Sequence, residues 1–128
     1  MMELKYSEVL KLNKELGNNL KSSSYDITVL SNIIVHQSKE MLEYSLRGEG
    51  INANVKFGDY DNIVQDSKKY QDSNAIIIFW ELCNIIDGLQ FTIELLNEDQ
   101  LDEILEKTKL EIDLVLKNFE KTSLVLIN

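Results

Sequence analysis

Ser31 and Asn32 directly follow the apolar run Tyr25-Asp26-Ile27-Thr28-Val29-Leu30, and they are the first residues in the chain placed to do chemistry. A serine on the turn from a buried strand into a helix sits where a nucleophile sits in acyl transfer. That chemistry also needs a general base and an oxyanion hole. Asn32 and nearby backbone amides could supply the second. For the first, the chain has a single histidine, His36, expected one turn into the following helix, where it does not turn back onto Ser31. The plainer role for Ser31 is to cap that helix. Further on, Asp59 and Asp61 flank Tyr60 in a turn after Gly58. A hard divalent cation takes about six or more oxygen ligands, so this pair reads as turn chemistry rather than a metal site. Cys83, the only cysteine, has no basic neighbour in sequence to activate its thiol and reads as a packing residue. The sequence contains no Walker loop, GxGxxG, HExxH or CxxC, nor the DxDxT motif of phosphatases of the haloacid dehalogenase type. No cofactor, no metal and no complete catalytic constellation are expected.

The elements that must position these residues follow from the hydrophobic pattern. Tyr6, Val9, Leu10 and Leu16 share one side of a helix over Tyr6–Leu16 that Gly17 should stop. A Ser-rich connector leads to a first strand, Tyr25–Leu30, rich in β-branched residues. A helix over Ile33–Arg47 should turn Val35, Met41, Leu42 and Leu46 inward, and Gly48 and Gly50 should end it. Ile51, Ala53, Val55 and Phe57 alternate with polar residues, the mark of a second strand with one wetter face near a sheet edge. A short helix over Ile63–Tyr70 precedes Ala75-Ile76-Ile77-Ile78-Phe79-Trp80, whose unbroken apolarity marks a strand covered on both faces. Glu81–Leu96 has no clean period and reads as loop plus helix. Asn97 and Gln100 form a capping box for a long helix to about Lys121, with Leu101, Leu105, Ile112, Val115 and Phe119 on its core side. The acidic run Glu94–Glu106 reads as the solvated, dipole-matched start of that helix. Ser123–Ile127 is the fourth strand.

This order, a leading helix and then β-α-β-α-β-α-β, predicts an α/β three-layer sandwich. Its sheet should be parallel and flavodoxin-like, with strand order 2-1-3-4. We assign residues 1–24 to the N-terminal helix and connector and 25–128 to the α/β domain. The sequence stops just past the fourth strand, so a piece of a longer protein is expected. In such sheets ligands bind beyond the carboxyl ends of the strands. That rule selects Ser31 and Asn32 after the first strand, Gly58, Asp59 and Tyr60 after the second, and Glu81 and Asn84 after the third.

Composition narrows the partners. Apolar residues make up 44% of the 128, enough for one domain with a real core. A net charge of −9 argues against nucleic acid and anionic membrane surfaces. One cysteine rules out an intrachain disulfide. Met1–Leu20 carries no apolar signal region, and together these predict a cytoplasmic setting. Weak anion binding to the amides around Ser31 and Asn32, at the start of the expected helix, is a further expectation.

Three stretches read together carry a family likeness. They are Val29-Leu30-Ser31-Asn32, Gly50-Ile51-Asn52-Ala53-Asn54-Val55 and Phe57-Gly58-Asp59-Tyr60-Asp61-Asn62-Ile63-Val64-Gln65-Asp66. This resembles the N-terminal domain of FkbH-like proteins of the haloacid dehalogenase superfamily (subfamily IIIC). Those carry an (S/G)N-(F/Y)-T turn, then G-I-x-x-x-V, then Y-(D/N)-x-x-x-Q-(E/D). Tyr60, Asp61, Gln65 and Asp66 fit the last pattern, whereas Ile33-Ile34 departs from the aromatic and threonine of the first. The resemblance implies an SGNH-hydrolase-like domain followed by a C-terminal phosphatase-like domain. It also implies work on glyceryl, acyl or phosphorylated units, with an acyl carrier protein as a further partner and surface-glycan pathways as a setting. By the same analogy Ser31 matches the first-block serine, Gly58 the second-block glycine and, loosely, Asn84 the third-block asparagine. The final Asp-x-x-His block has no counterpart. An SGNH-type esterase or acyltransferase completed by residues beyond Asn128, and a plain interaction module, are the alternatives.

Overall fold

The structure, a computed structural model, describes residues 3–128. Helix α1 (Tyr6–Asn19) leads into strand β1 (Tyr25–Ser31). Then follow α2 (Ser38–Gly48), β2 (Ala53–Phe57), α3 (Ile63–Lys69) and β3 (Ala75–Phe79). Two single-turn helices, α4 (Leu82–Ile85) and α5 (Leu89–Thr92), and a 3₁₀ turn (Ile93–Leu95) precede the long α6 (Glu98–Asn118) and the last strand, β4 (Leu124–Ile127). The four strands form one parallel sheet in the order β2-β1-β3-β4, as the alternation of strands and helices predicts.

Side chains alternate across the sheet and build two cores. On one face Ile27, Val29, Ala53, Val55 and Ala75 pack with Val35, Leu42 and Leu46, so α2 covers this face and α1 lies against α2. On the other, Leu30, Ile76 and Ile78 meet Ile63 of α3, Val115 of α6 and Phe119 just beyond it. The strand pair β1–β3 is buried from both sides, which is why its sequence reads as nearly continuous apolar residues.

Several local expectations change. Gly17 does not end α1. Its missing side chain makes room for Arg47, since a Cβ there would lie 2.8 Å from Nη1. Of the expected inward residues of α1 only Val9 is buried, and Tyr6 and Leu10 are exposed because α1 faces a helix rather than the sheet. Met41 of α2 is likewise exposed. Helix α2 starts at Ser38 rather than Ile33, for reasons that belong to the site below. The capping box of α6 forms as expected: Gln100 N–H donates to Asn97 Oδ1 (2.9 Å) and Asn97 N–H to Gln100 Oε1 (3.0 Å). Leu105, however, is 61% exposed, and the buried stripe runs through Thr108, Val115 and Phe119 instead.

A polar network closes the β2 edge. Arg47 donates to the carbonyl of Ala53 through Nε (3.2 Å) and Nη2 (3.0 Å), and Glu43 Oε2 accepts the N–H of Val55 (3.0 Å). These are the backbone groups that an unpaired edge strand would otherwise leave open. Arg47 also donates to the carbonyl and side chain of Asn13 (both 3.0 Å), and Asn13 donates to Glu43 (3.2 Å), so the same cluster fastens α1.

Candidate functional site

The carboxyl ends of β1, β2 and β3 converge, and the loops beyond them are knitted together by Asn32. This residue is fully buried. Its Nδ2 donates to the carbonyl of Glu81 (2.9 Å) while its Oδ1 accepts the N–H of Glu81 (2.7 Å). The side chain thus acts as one more rung between the ends of β1 and β3. Asn32 N–H donates to the carbonyl of Phe79 (3.1 Å), and Asn84 Nδ2 donates to the carbonyl of Asn32 (3.0 Å). The N–H of Asp61 donates to the carbonyl of Ser31 (3.0 Å), which ties in the loop after β2.

Ser31 is buried, and its hydroxyl is engaged within its own turn. It accepts the N–H of Ile33 (2.9 Å) and donates to the carbonyl of the same residue. Such a local side-chain bond competes with helix formation, and α2 accordingly begins only after Val35, where Ser38 N–H donates to the carbonyl of Val35 (2.9 Å). Ser31 is therefore neither the cap of α2 nor bonded to a base. His36 lies in the turn before the helix, not in it, and stacks on Phe57 with ring centroids 4.7 Å apart. The amides of Asn32 and Ile33 are spent on protein acceptors, so the expected anion site at a helix start beside Ser31 does not form.

Gly58 is required for packing. A Cβ at this position would lie 2.5 Å from Leu30 Cδ2 and 2.6 Å from Asp66 Oδ2. Asp66, almost completely buried, accepts the N–H of Asp59 (2.7 Å) and Asn62 Nδ2 (3.1 Å), and so shapes the turn through Asp59 and Tyr60, both of which point to solvent. Asp61 adopts the left-handed region (φ 52°), which an aspartate tolerates better than most residues.

Next to this frame lies a crevice of about 180 Å³, lined by Asp61, Ile63, Gln65, Trp80, Asn84 and Glu111 among others. Of the residues expected at this end of the sheet, Asn84 lines it. Ser31, Asn32, Gly58, Asp59, Tyr60 and Glu81 do not line it. Asp61 and Gln65, two residues that fit the FkbH-like sequence pattern, meet here across the start of α3. Trp80 stands one residue past β3, where the strand-end rule looks. Glu111 carries no local signal; only the packing of α6 on α3 brings it in. A larger hollow of about 720 Å³ runs along α6 past Leu110 and Leu114, but every residue lining it belongs to that one helix. Nothing opposes it, so it is a surface channel rather than a site. Among the described residues no group of three or more His, Cys, Asp or Glu is placed to hold a metal ion, and no helix is long and apolar enough to cross a membrane.

Neither a protein-family model nor a curated protein matches this sequence. The arrangement of elements does match a solved structure, the N-terminal part of the protein BF1531 from Bacteroides fragilis, described as containing a phosphatase domain complexed with Mg. The two superpose with a TM-score of 0.66 at 13% sequence identity, over 98% of this chain and 33% of that one. The chain thus spans about a third of the length of that structure and shares its fold over that span.

Proposed function

We propose that this chain is the substrate- or partner-binding N-terminal domain of an FkbH-like protein. In this reading it presents a small group, held beyond the carboxyl ends of its strands, to a C-terminal phosphatase-like domain acting on glyceryl, acyl or phosphorylated units. The observation that carries the reading is the contrast between Ser31 and the crevice. The serine hydroxyl is consumed by its own turn and has no basic partner, whereas the neighbouring crevice keeps polar side chains turned to solvent. A serine without a base is a weak nucleophile at neutral pH, so the arrangement suits holding a ligand better than attacking one. The fold shared with part of a protein that contains a phosphatase domain supports the same assignment.

Two measurements test it. With p-nitrophenyl acetate the chain should show no saturable turnover, and Ser31→Ala should behave as the wild type. Turnover abolished by Ser31→Ala would instead favour an SGNH-type esterase. Amide chemical shifts should be followed while glycerate, glycerol phosphate and ethanolamine are added in turn. At least one should move resonances around Asn32, Asp61–Gln65 and Trp80–Ile85 together. A spectrum indifferent to all three would remove the binding role.

A further inference from the structure

The crevice beyond β3 has a definite chemical bias. Its two ionisable lining residues, Asp61 and Glu111, are both acidic, and no lysine or arginine lines it. Neither is neutralised by a neighbour: among the described residues the one ion pair is Glu43–Arg47, which lies at the β2 edge. The remaining polar side chains, Gln65 and Asn84, are neutral carboxamides. Asn84 spends one N–H on the carbonyl of Asn32, leaving its carbonyl oxygen free of any protein donor. The half-buried Trp80 lines the crevice while its side chain packs on the core, and the exposed wall is mainly polar. The volume of about 180 Å³ corresponds to about six waters at ~30 Å³ each, too small for a nucleotide and suited to a few heavy atoms. A divalent metal is a poor fit, because the acidic groups number two and the site lacks a third.

We infer that this crevice binds a small organic ammonium group, such as the amine end of an aminoalcohol or amino sugar, through the carboxylates of Asp61 and Glu111 and the carboxamide oxygens of Gln65 and Asn84. The inference rests on the crevice being the binding site proposed above and adds the class of ligand. An ammonium gains from both carboxylates and from the overall charge of −9, whereas a phosphate loses against both. Any phosphorylated portion of the substrate must then lie outside this crevice.

Trp80 is the only tryptophan of the chain, so its fluorescence reports on this place alone. Ethanolamine, choline, glycerol and inorganic phosphate should be titrated separately while that emission is followed. Saturable change is expected with the two ammonium probes and none with glycerol or phosphate. Asp61→Asn and Glu111→Gln should each weaken ammonium binding about tenfold. Both side chains are free of protein partners, so an unchanged urea midpoint confirms intact folding. At about 1 M salt, where the screening length falls to ~3 Å, affinity should drop severalfold. Glycerol or phosphate binding as well as the ammonium probes, or ammonium binding that neither variant weakens, overturns the inference and leaves the binding domain standing. If no probe moves either the emission or the amides of the crevice, the inference falls, and the proposed function falls with it when glycerate and glycerol phosphate are silent too.

Discussion

Replacing Asn32 is the sharpest test of the frame that holds the candidate site. Asn32→Ala deletes two hydrogen bonds to the backbone of Glu81, at 2.9 and 2.7 Å, each worth about 0.5–1.5 kcal/mol net. It also leaves a small hollow at a fully buried position. Glu81 is exposed, so water can re-satisfy part of its backbone, and the full desolvation penalty does not apply. The sum is about 1.5–3 kcal/mol of lost stability. Asn32→Asp keeps the shape but sets an oxygen against the carbonyl of Glu81 where an N–H now donates. Only a protonated carboxyl can donate there, so folding should raise the pKa of the new acid above its unfolded value of about 3.9. A raised pKa contributes stability at low pH that is lost as the pH rises. The deficit of Asn32→Asp should therefore be smallest near pH ~4 and grow toward neutrality. Urea unfolding followed by Trp80 emission and far-UV circular dichroism measures both variants. A loss below about 1 kcal/mol for Asn32→Ala, or an Asn32→Asp protein as stable as wild type at neutral pH, would refute the rung between β1 and β3.

Gly58→Ala should cost about 1–3 kcal/mol, because Asp66 is held by two donors and cannot easily give way to the added Cβ. A calorimetric midpoint equal to wild type would contradict that contact. Ile78→Ala, at a fully buried position of the central strand, should lose about 2–5 kcal/mol in chemical denaturation. Glu43→Ala should lose about 3–5 kcal/mol, since it leaves the guanidinium of Arg47 without its carboxylate and strands the N–H of Val55. Hydrogen exchange at Val55 should accelerate in that variant, and exchange unchanged from wild type would show that the edge is closed by something else.

The sheet was legible because its physics is local. Four apolar runs separated by helical segments leave few ways to build a covered parallel sheet, and the order β2-β1-β3-β4 is the one that right-handed crossovers favour. The capping box at Asn97 was legible for the same reason, both partners lying within one turn. The site was only partly so. The strand-end rule picked out the neighbourhood of Ser31, Gly58 and Asn84, yet the hydroxyl of Ser31 folds back on Ile33, a residue that pattern reading had assigned to a helix. Glu111 escaped for the opposite reason. Its place comes from packing across the fold, and nothing in its flanking residues separates a crevice-lining glutamate from the many solvated acids of an acidic chain. Leu105 misled because α6 buries only a narrow stripe through Thr108 and Val115 toward Phe119, and a leucine to one side of that stripe meets water.

The treatment of the two sheet edges is unequal, and this sets the side from which the sheet can be extended. At β2 the side chains of Glu43 and Arg47 occupy the outward hydrogen-bonding groups, so no foreign strand can dock there without breaking them. Among the described residues no side chain occupies the outward groups of β4 in the same way, and Leu124, Leu126 and Ile127 remain between 43% and 50% exposed along an uncharged strand. A strand that extends this sheet, whether from further along the same polypeptide or from another molecule, is therefore directed to the β4 side, and a variant that frees the β2 edge opens a second direction of growth.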